Sequence, residues 1–139
     1  MADVLTTEQR RRCMSQVKSK NTKPEMLVRS YLHAKGFRFR LHKKDLPGKP
    51  DIVLPRYKTA IFVNGCFWHG HEGCSYAALP STNKEFWETK ISQNRERDER
   101  TYEKLHSMGW NVIVIWQCQL KQKTKEQTLI KLTHDIKHG

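Results

Sequence analysis

Residues 50–74 read PDIVLPRYKTAIFVNGCFWHGHEGC, and the parsing of this stretch decides the fold. Asp51-Ile52-Val53-Leu54 is a short apolar run. Pro55-Arg56-Tyr57-Lys58 turns the chain, and Thr59 to Val63 returns as a second apolar run, so the pair predicts a β-hairpin. From Asn64 to Asn83 the pattern is irregular. A loop of that length in a small protein is usually functional or tied by a metal. This one holds Cys66, Phe67, Trp68, His69, His71 and Cys74.

Before the hairpin, Phe37-Arg38-Phe39-Arg40-Leu41 alternates apolar and basic with period two, which predicts a half-buried strand with one basic face. The following HKKDLPGKP is a loop by its Pro and Gly content. Further upstream, Thr22-Lys23-Pro24-Glu25 spells a capping box. It opens a helix with Met26, Leu27, Tyr31 and Leu32 at helical spacing, stopping at Gly36. The capping box alone explains Glu25. An earlier helix, capped by Thr6 or Thr7 and running to about Lys18, carries Arg10, Arg11, Arg12 and Lys18, with no acid from Arg10 to Lys23. It is expected to meet phosphates, the alternative being a solvated helix surface. Cys13 in this helix has no nearby partner in sequence.

After the loop, Thr82-Asn83-Lys84-Glu85 spells a second capping box. It predicts a long charged helix to about Ser107, with Trp87, Ile91, Tyr102 and Leu105 inward and Gly109 as its stop. Trp110 to Trp116 is continuously apolar and is expected to be buried on both faces. Thr124 and Gln127 open a last helix bearing Leu129, Ile130, Leu132 and Ile136. The order is helix, helix, three strands, loop, helix, strand, helix: an α/β fold with a mixed β-sheet flanked by helices. At 139 residues we expect one domain over residues 1–139, with a basic helical arm at about 1–21.

Cys66, His71 and Cys74 lie close together and Cys118 follows the last strand. Three thiolates and one imidazole suit tetrahedral zinc. Cys118 would then tie the loop to the sheet. His69 competes as a ligand, and ordinary buried thiols are the alternative to a metal. Phe67, Trp68 and Trp87 are either core aromatics or surfaces for stacking on bases. The chain carries 26 Lys and Arg against 14 Asp and Glu, a formal net charge of +12, so a polyanion is the expected partner. No apolar run reaches the roughly 18 residues of a membrane span, and the start lacks a signal-peptide pattern. The expected location is the cytoplasm, where reduced cysteines favour metal ligation over disulfides.

Taken together, PGKPDIVLP, AIFVNGCFWHGHEGC, NKEFWETKISQNRERD and GWNVIVIWQC closely resemble the bacterial very-short-patch repair endonucleases, the Vsr family, from about Arg10 to Leu120. The resemblance implies a restriction-endonuclease-like core with a structural zinc loop. It implies a nickase of the thymine strand at T:G mismatches left by deamination of 5-methylcytosine in double-stranded DNA; nicking one strand needs only a monomer, which is the expected state. It also implies the mismatch-repair protein MutL as a partner and a nucleoid-associated location. By the same resemblance, Asp51 and the Val63 backbone carbonyl hold a catalytic Mg2+. His69 transfers protons, Glu25 orients water at the ion, and Asp98 supports that network. Cys66, His71, Cys74 and Cys118 hold Zn2+. Phe67, Trp68 and Trp87 intercalate, and Met14 wedges from the other groove. The chain departs from the familiar pattern at Val63-Asn64, where Thr-His is usual, and at an extra Gly73. Asn64 replaces a group that could exchange a proton, so it is the unsettled member of the catalytic set. Two other readings stay open: a non-catalytic zinc module that binds distorted DNA, and a restriction-type nuclease acting on other DNA.

Overall fold

The structure is a computed structural model and describes residues 22–138. The expected first helix, with Arg10, Arg11, Arg12, Cys13, Met14 and Lys18, lies outside the described residues. The described elements are α1 (Lys23–Ala34), β1 (Arg40–Leu41), β2 (Ile52–Leu54), β3 (Thr59–Asn64), α2 (Lys84–Ser107), β4 (Asn111–Trp116) and α3 (Lys125–His138). The four strands form one mixed sheet in the order β1-β2-β3-β4. β1–β2 and β2–β3 pair antiparallel, and β3–β4 pair in parallel after the α2 crossover.

Side-chain alternation along the strands divides the interior into two layers. On one face Ile52, Leu54, Ile61 and Ile115 meet Val28 and Leu32 of α1 and Leu129, Leu132 and Ile136 of α3. On the other, Val53, Ala60 and Phe62 meet Leu105 of α2 and Leu46. α1 and α2 end alike, with Gly36 and Gly109 at φ +85 and +87. In each, the glycine N–H bonds three residues back and the following residue, Phe37 or Trp110, bonds five back to Leu32 or Leu105. These are Schellman stops, which only a left-handed residue closes without strain.

Four expectations change. The strand expected over 37–41 is paired only at Arg40–Leu41, although Phe37 is buried and Arg38 exposed as the alternation requires. Phe37 spends its N–H on the helix stop, and the register Arg40↔Val53 would put Arg38 opposite Pro55, where β2 has already turned away. β4 is buried only at Ile115 because it forms an edge of the sheet. The second capping box does not form: Asn83 caps α2 at φ +58 with no side-chain bond. The first forms by half. Thr22 Oγ1 accepts the Glu25 N–H at 3.4 Å, but the Glu25 carboxylate pairs elsewhere. Of the apolar residues on α3, Leu129, Leu132 and Ile136 are buried and Ile130 is 55% exposed. No helix among the described residues is long and apolar enough to cross a membrane.

Candidate active site

Asp51 sits at the head of β2, just outside the ladder. Its backbone carbonyl accepts the His42 N–H at 3.1 Å. Its side-chain Oδ2 accepts the Val63 N–H at 2.8 Å from the end of β3. Two adjacent strands thus fix the carboxylate. Burial pushes its pKa up to about 6. The Val63 N–H opposes this, the Glu25 charge adds to it, and His42 and His69 pull it back down. Desolvation wins because one backbone donor replaces several waters.

Glu25 comes from α1 and is 1% exposed. Its Oε2 accepts from His42 Nε2 at 2.8 Å and from Arg29 Nη1 at 3.3 Å. Ligand atoms of Glu25, His42 and Asp51 all lie within 4.8 Å of one another. A cavity of about 720 Å³ opens in front of these acids. Its wall includes Glu25, Asp51, Val63, Asn64, Phe67, Trp68 and His69, with Lys90 and Arg97 of α2 supplying positive charge.

His69 is set by α2. Its Nδ1 lies 2.6 Å from Asp98 Oδ2. A carboxylate oxygen accepts here, so Nδ1 is the donor and Nε2 is the ring nitrogen left for another partner. The loop bearing His69 is pinned to α2 by Asn94 Nδ2, which donates to the Trp68 carbonyl at 2.9 Å. Gly70 lets it press close: at φ +61, a Cβ there would stand 2.5 Å from Ile91 Cγ2. Asn64 is buried and its Nδ2 donates to the Tyr102 hydroxyl at 2.9 Å. Burial pushes the Tyr102 phenol up to about 12, with Asp98 and Asp51 adding to the shift, so the phenol stays neutral.

The second cluster gathers Cys66, His71, Cys74 and Cys118, whose ligand atoms lie within 4.8 Å of one another. Tetrahedral ligands at zinc distances stand about 3.7 Å apart, so this donor set fits one ion. His71 Nδ1 already lies 3.4 Å from Cys118 Sγ. Its ring stacks on Trp116 at 4.1 Å and 7°, which fixes its direction. His69 takes no part in this cluster. Phe67, Trp68 and Trp87 pack edge to face at 5.3 to 5.8 Å. Trp87 is buried, and Phe67 and Trp68 are half-buried at the cavity wall.

The structure therefore brings Glu25, Asp51, Asn64 and His69 to one cavity and Asp98 behind His69. It keeps Cys66, His71, Cys74 and Cys118 apart as a second group. Sequence reasoning missed His42, read as loop, and Phe86, which stands 60% exposed beside Trp87. An apolar residue off the inward face of α2 was the available signal for Phe86. His42 offered none, because its partners are distant in sequence.

The family model described as DNA mismatch endonuclease Vsr matches residues 2–75. The chain is 55% identical over 120 residues to the type II nicking enzyme V.XorIIP of Xanthomonas oryzae pv. oryzae, covering 86% of this chain and 88% of that protein. It is 46% identical over 138 residues to the type II nicking enzyme V.NmeAIP of Neisseria meningitidis, covering 99% and 98%. It is 39% identical over 125 residues to the DNA mismatch endonuclease Vsr of Escherichia coli, covering 90% and 80%. With a mixed sheet flanked by helices, a cavity lined by Glu25 and Asp51 and matches of this extent, the chain belongs to the Vsr family of DNA mismatch endonucleases, whose core is restriction-endonuclease-like.

Proposed function

We propose that this chain is a magnesium-dependent DNA endonuclease that nicks the thymine strand at a T:G mismatch arising from 5-methylcytosine deamination. The observation that carries the reading is one cavity lined both by Asp51, Glu25 and His69 and by Phe67 and Trp68. Chemistry on a phosphodiester and a wedge for a distorted duplex thereby share one space.

Asp51 and the Val63 carbonyl hold Mg2+. In an extended strand the N–H and C=O of one residue leave the same edge, so the Val63 carbonyl faces the side on which its N–H meets Asp51. Hard oxygen donors suit this ion, and a carboxylate held near pKa 6 by burial gains from a neighbouring cation. When bound, the ion supplies stabilisation of charge on the scissile phosphate. Glu25 accepts a hydrogen bond from the attacking water and orients it. His69 Nε2 takes that water's proton, while Asp98 holds the ring in the required tautomer. Asn64 cannot exchange a proton and donates to Tyr102, so its part is to shape the cavity floor and proton transfer rests on His69. Lys90 and Arg97 offer contacts to the phosphates on either side of the cut.

Cys66, His71, Cys74 and Cys118 hold a structural Zn2+ that fixes the loop carrying Phe67, Trp68 and His69. Phe67 and Trp68 enter the base stack over the support of Trp87. The relatives named type II nicking enzymes favour cutting one strand over cutting both. The test is cleavage of strand-labelled T:G and matched duplexes in Mg2+, with Asp51→Ala and His69→Ala alongside. Full activity in both variants would overturn the assigned roles.

A further inference from the structure

We infer that His42 is a positioning residue of the acidic cavity: with Arg29 it holds the Glu25 carboxylate beside Asp51, and its backbone ties the same loop to Asp51 itself. The inference rests on the reading of Asp51 and Glu25 as the working acids.

Glu25 is a carboxylate on α1, while Asp51 belongs to the sheet. The two must meet across an interface between elements, and like charges repel. Arg29 offsets the Glu25 charge, but it stands one turn along the same helix and cannot register α1 against β2. His42 can. It follows β1, continues the ladder by donating its N–H to the Asp51 carbonyl at 3.1 Å, and places Nε2 2.8 Å from Glu25 Oε2. With Glu25 ionised, Nε2 carries the hydrogen. One residue thus bonds both acids, to the main chain of one and the side chain of the other.

The backbone at His42 supports the same view. It lies at φ +47, a left-handed conformation uncommon for a residue with a side chain. A strained conformer persists where surrounding bonds over-determine it. Here both of those bonds end on Glu25 and Asp51. His42 is also absent from the wall of the cavity that Glu25 and Asp51 line. It therefore acts on the chemistry through its bond to Glu25.

The test compares His42→Leu, which fills similar volume without a donor, with His42→Gln, which keeps a donor and cannot titrate. Mn2+ affinity of the DNA-free protein is read by electron paramagnetic resonance, and kcat and KM by nicking under saturating metal. For His42→Leu we expect Mn2+ affinity and kcat to fall about 10- to 100-fold, the range for residues that orient metal-site groups. KM for DNA should stay within about twofold. His42→Gln should recover most of both losses. Wild-type Mn2+ affinity and kcat in folded His42→Leu would overturn the inference. So would a His42→Gln protein as impaired as the Leu variant, and that comparison stands even if His42→Leu fails to fold, because a loss of more than about 10-fold in His42→Gln alone contradicts positioning by a donor. If the wild type nicks no DNA, the proposed function fails, yet the Mn2+ titration still decides the role of His42.

Discussion

Replacing Asp51 by Asn should separate the acid's chemistry from its cost to the fold. Asn is nearly isosteric, accepts the Val63 N–H through Oδ1 and carries no charge. In the folded protein the Asp51 pKa stands at about 6 against an ordinary 3.8, chiefly through burial. A raised carboxyl pKa favours the folded state while the group is protonated. That contribution is complete below about pH 4 and is lost as pH rises through about 6. Above pH 7 the ionised carboxylate therefore costs the metal-free fold roughly 2 to 3 kcal/mol. Urea unfolding followed by circular dichroism in magnesium-free buffer, without chelator so that the zinc cluster is untouched, reads this directly. Asp51→Asn should exceed the wild type by about 2 kcal/mol at pH 8, and the gap should shrink by about half by pH 5. Millimolar Mg2+ should raise the stability of the wild type and leave the variant unchanged, since only the former gains binding energy. Nicking should be lost. An Asp51→Asn protein no more stable than wild type at pH 8, or a gap that does not depend on pH, would refute the reasoning.

Other outcomes follow from the same geometry. Cys118→Ser should abolish stoichiometric zinc on elemental analysis and lower thermal stability, because the loop then loses its tie to the end of β4. Asp98→Asn should reduce kcat by about 10- to 100-fold with little change in KM, through the wrong His69 tautomer, measured by single-turnover nicking. Tyr102→Phe should cost about 1 kcal/mol in urea unfolding by leaving the buried Asn64 amide without its acceptor, while the pH profile of nicking stays where it is.

Much of this was legible in the chain because its signals are local. Gly36 and Gly109 stop helices through a conformation that other residues resist, and the hairpin follows from Pro55 to Lys58 between two apolar runs. The Cys-x4-His-x2-Cys spacing presented three of the four clustered donors, and Cys118 was identifiable because it follows the strongest strand pattern. What stayed hidden is what the fold assembles across distance. Glu25 had a complete local explanation as half of a capping box, and nothing nearby announces His42 as its partner. His42 itself reads as loop, since the bonds that hold its left-handed backbone come from a different helix and a different strand. Strand order is also non-local: the apolar run 110–116 matches a central strand, yet the parallel pairing places it at an edge. At Thr82 the capping pattern was present, but the left-handed Asn83 starts the helix without it.

The most direct test of the central claim is a strand-resolved nicking assay on a duplex with one T:G pair, in several sequence contexts and with the matched duplex as control. Mg2+ should produce a single break in the thymine-containing strand, with the guanine strand and the matched duplex left intact. No cleavage in Mg2+ or Mn2+ alongside tight mismatch binding, or cutting of both strands of matched DNA, would contradict it.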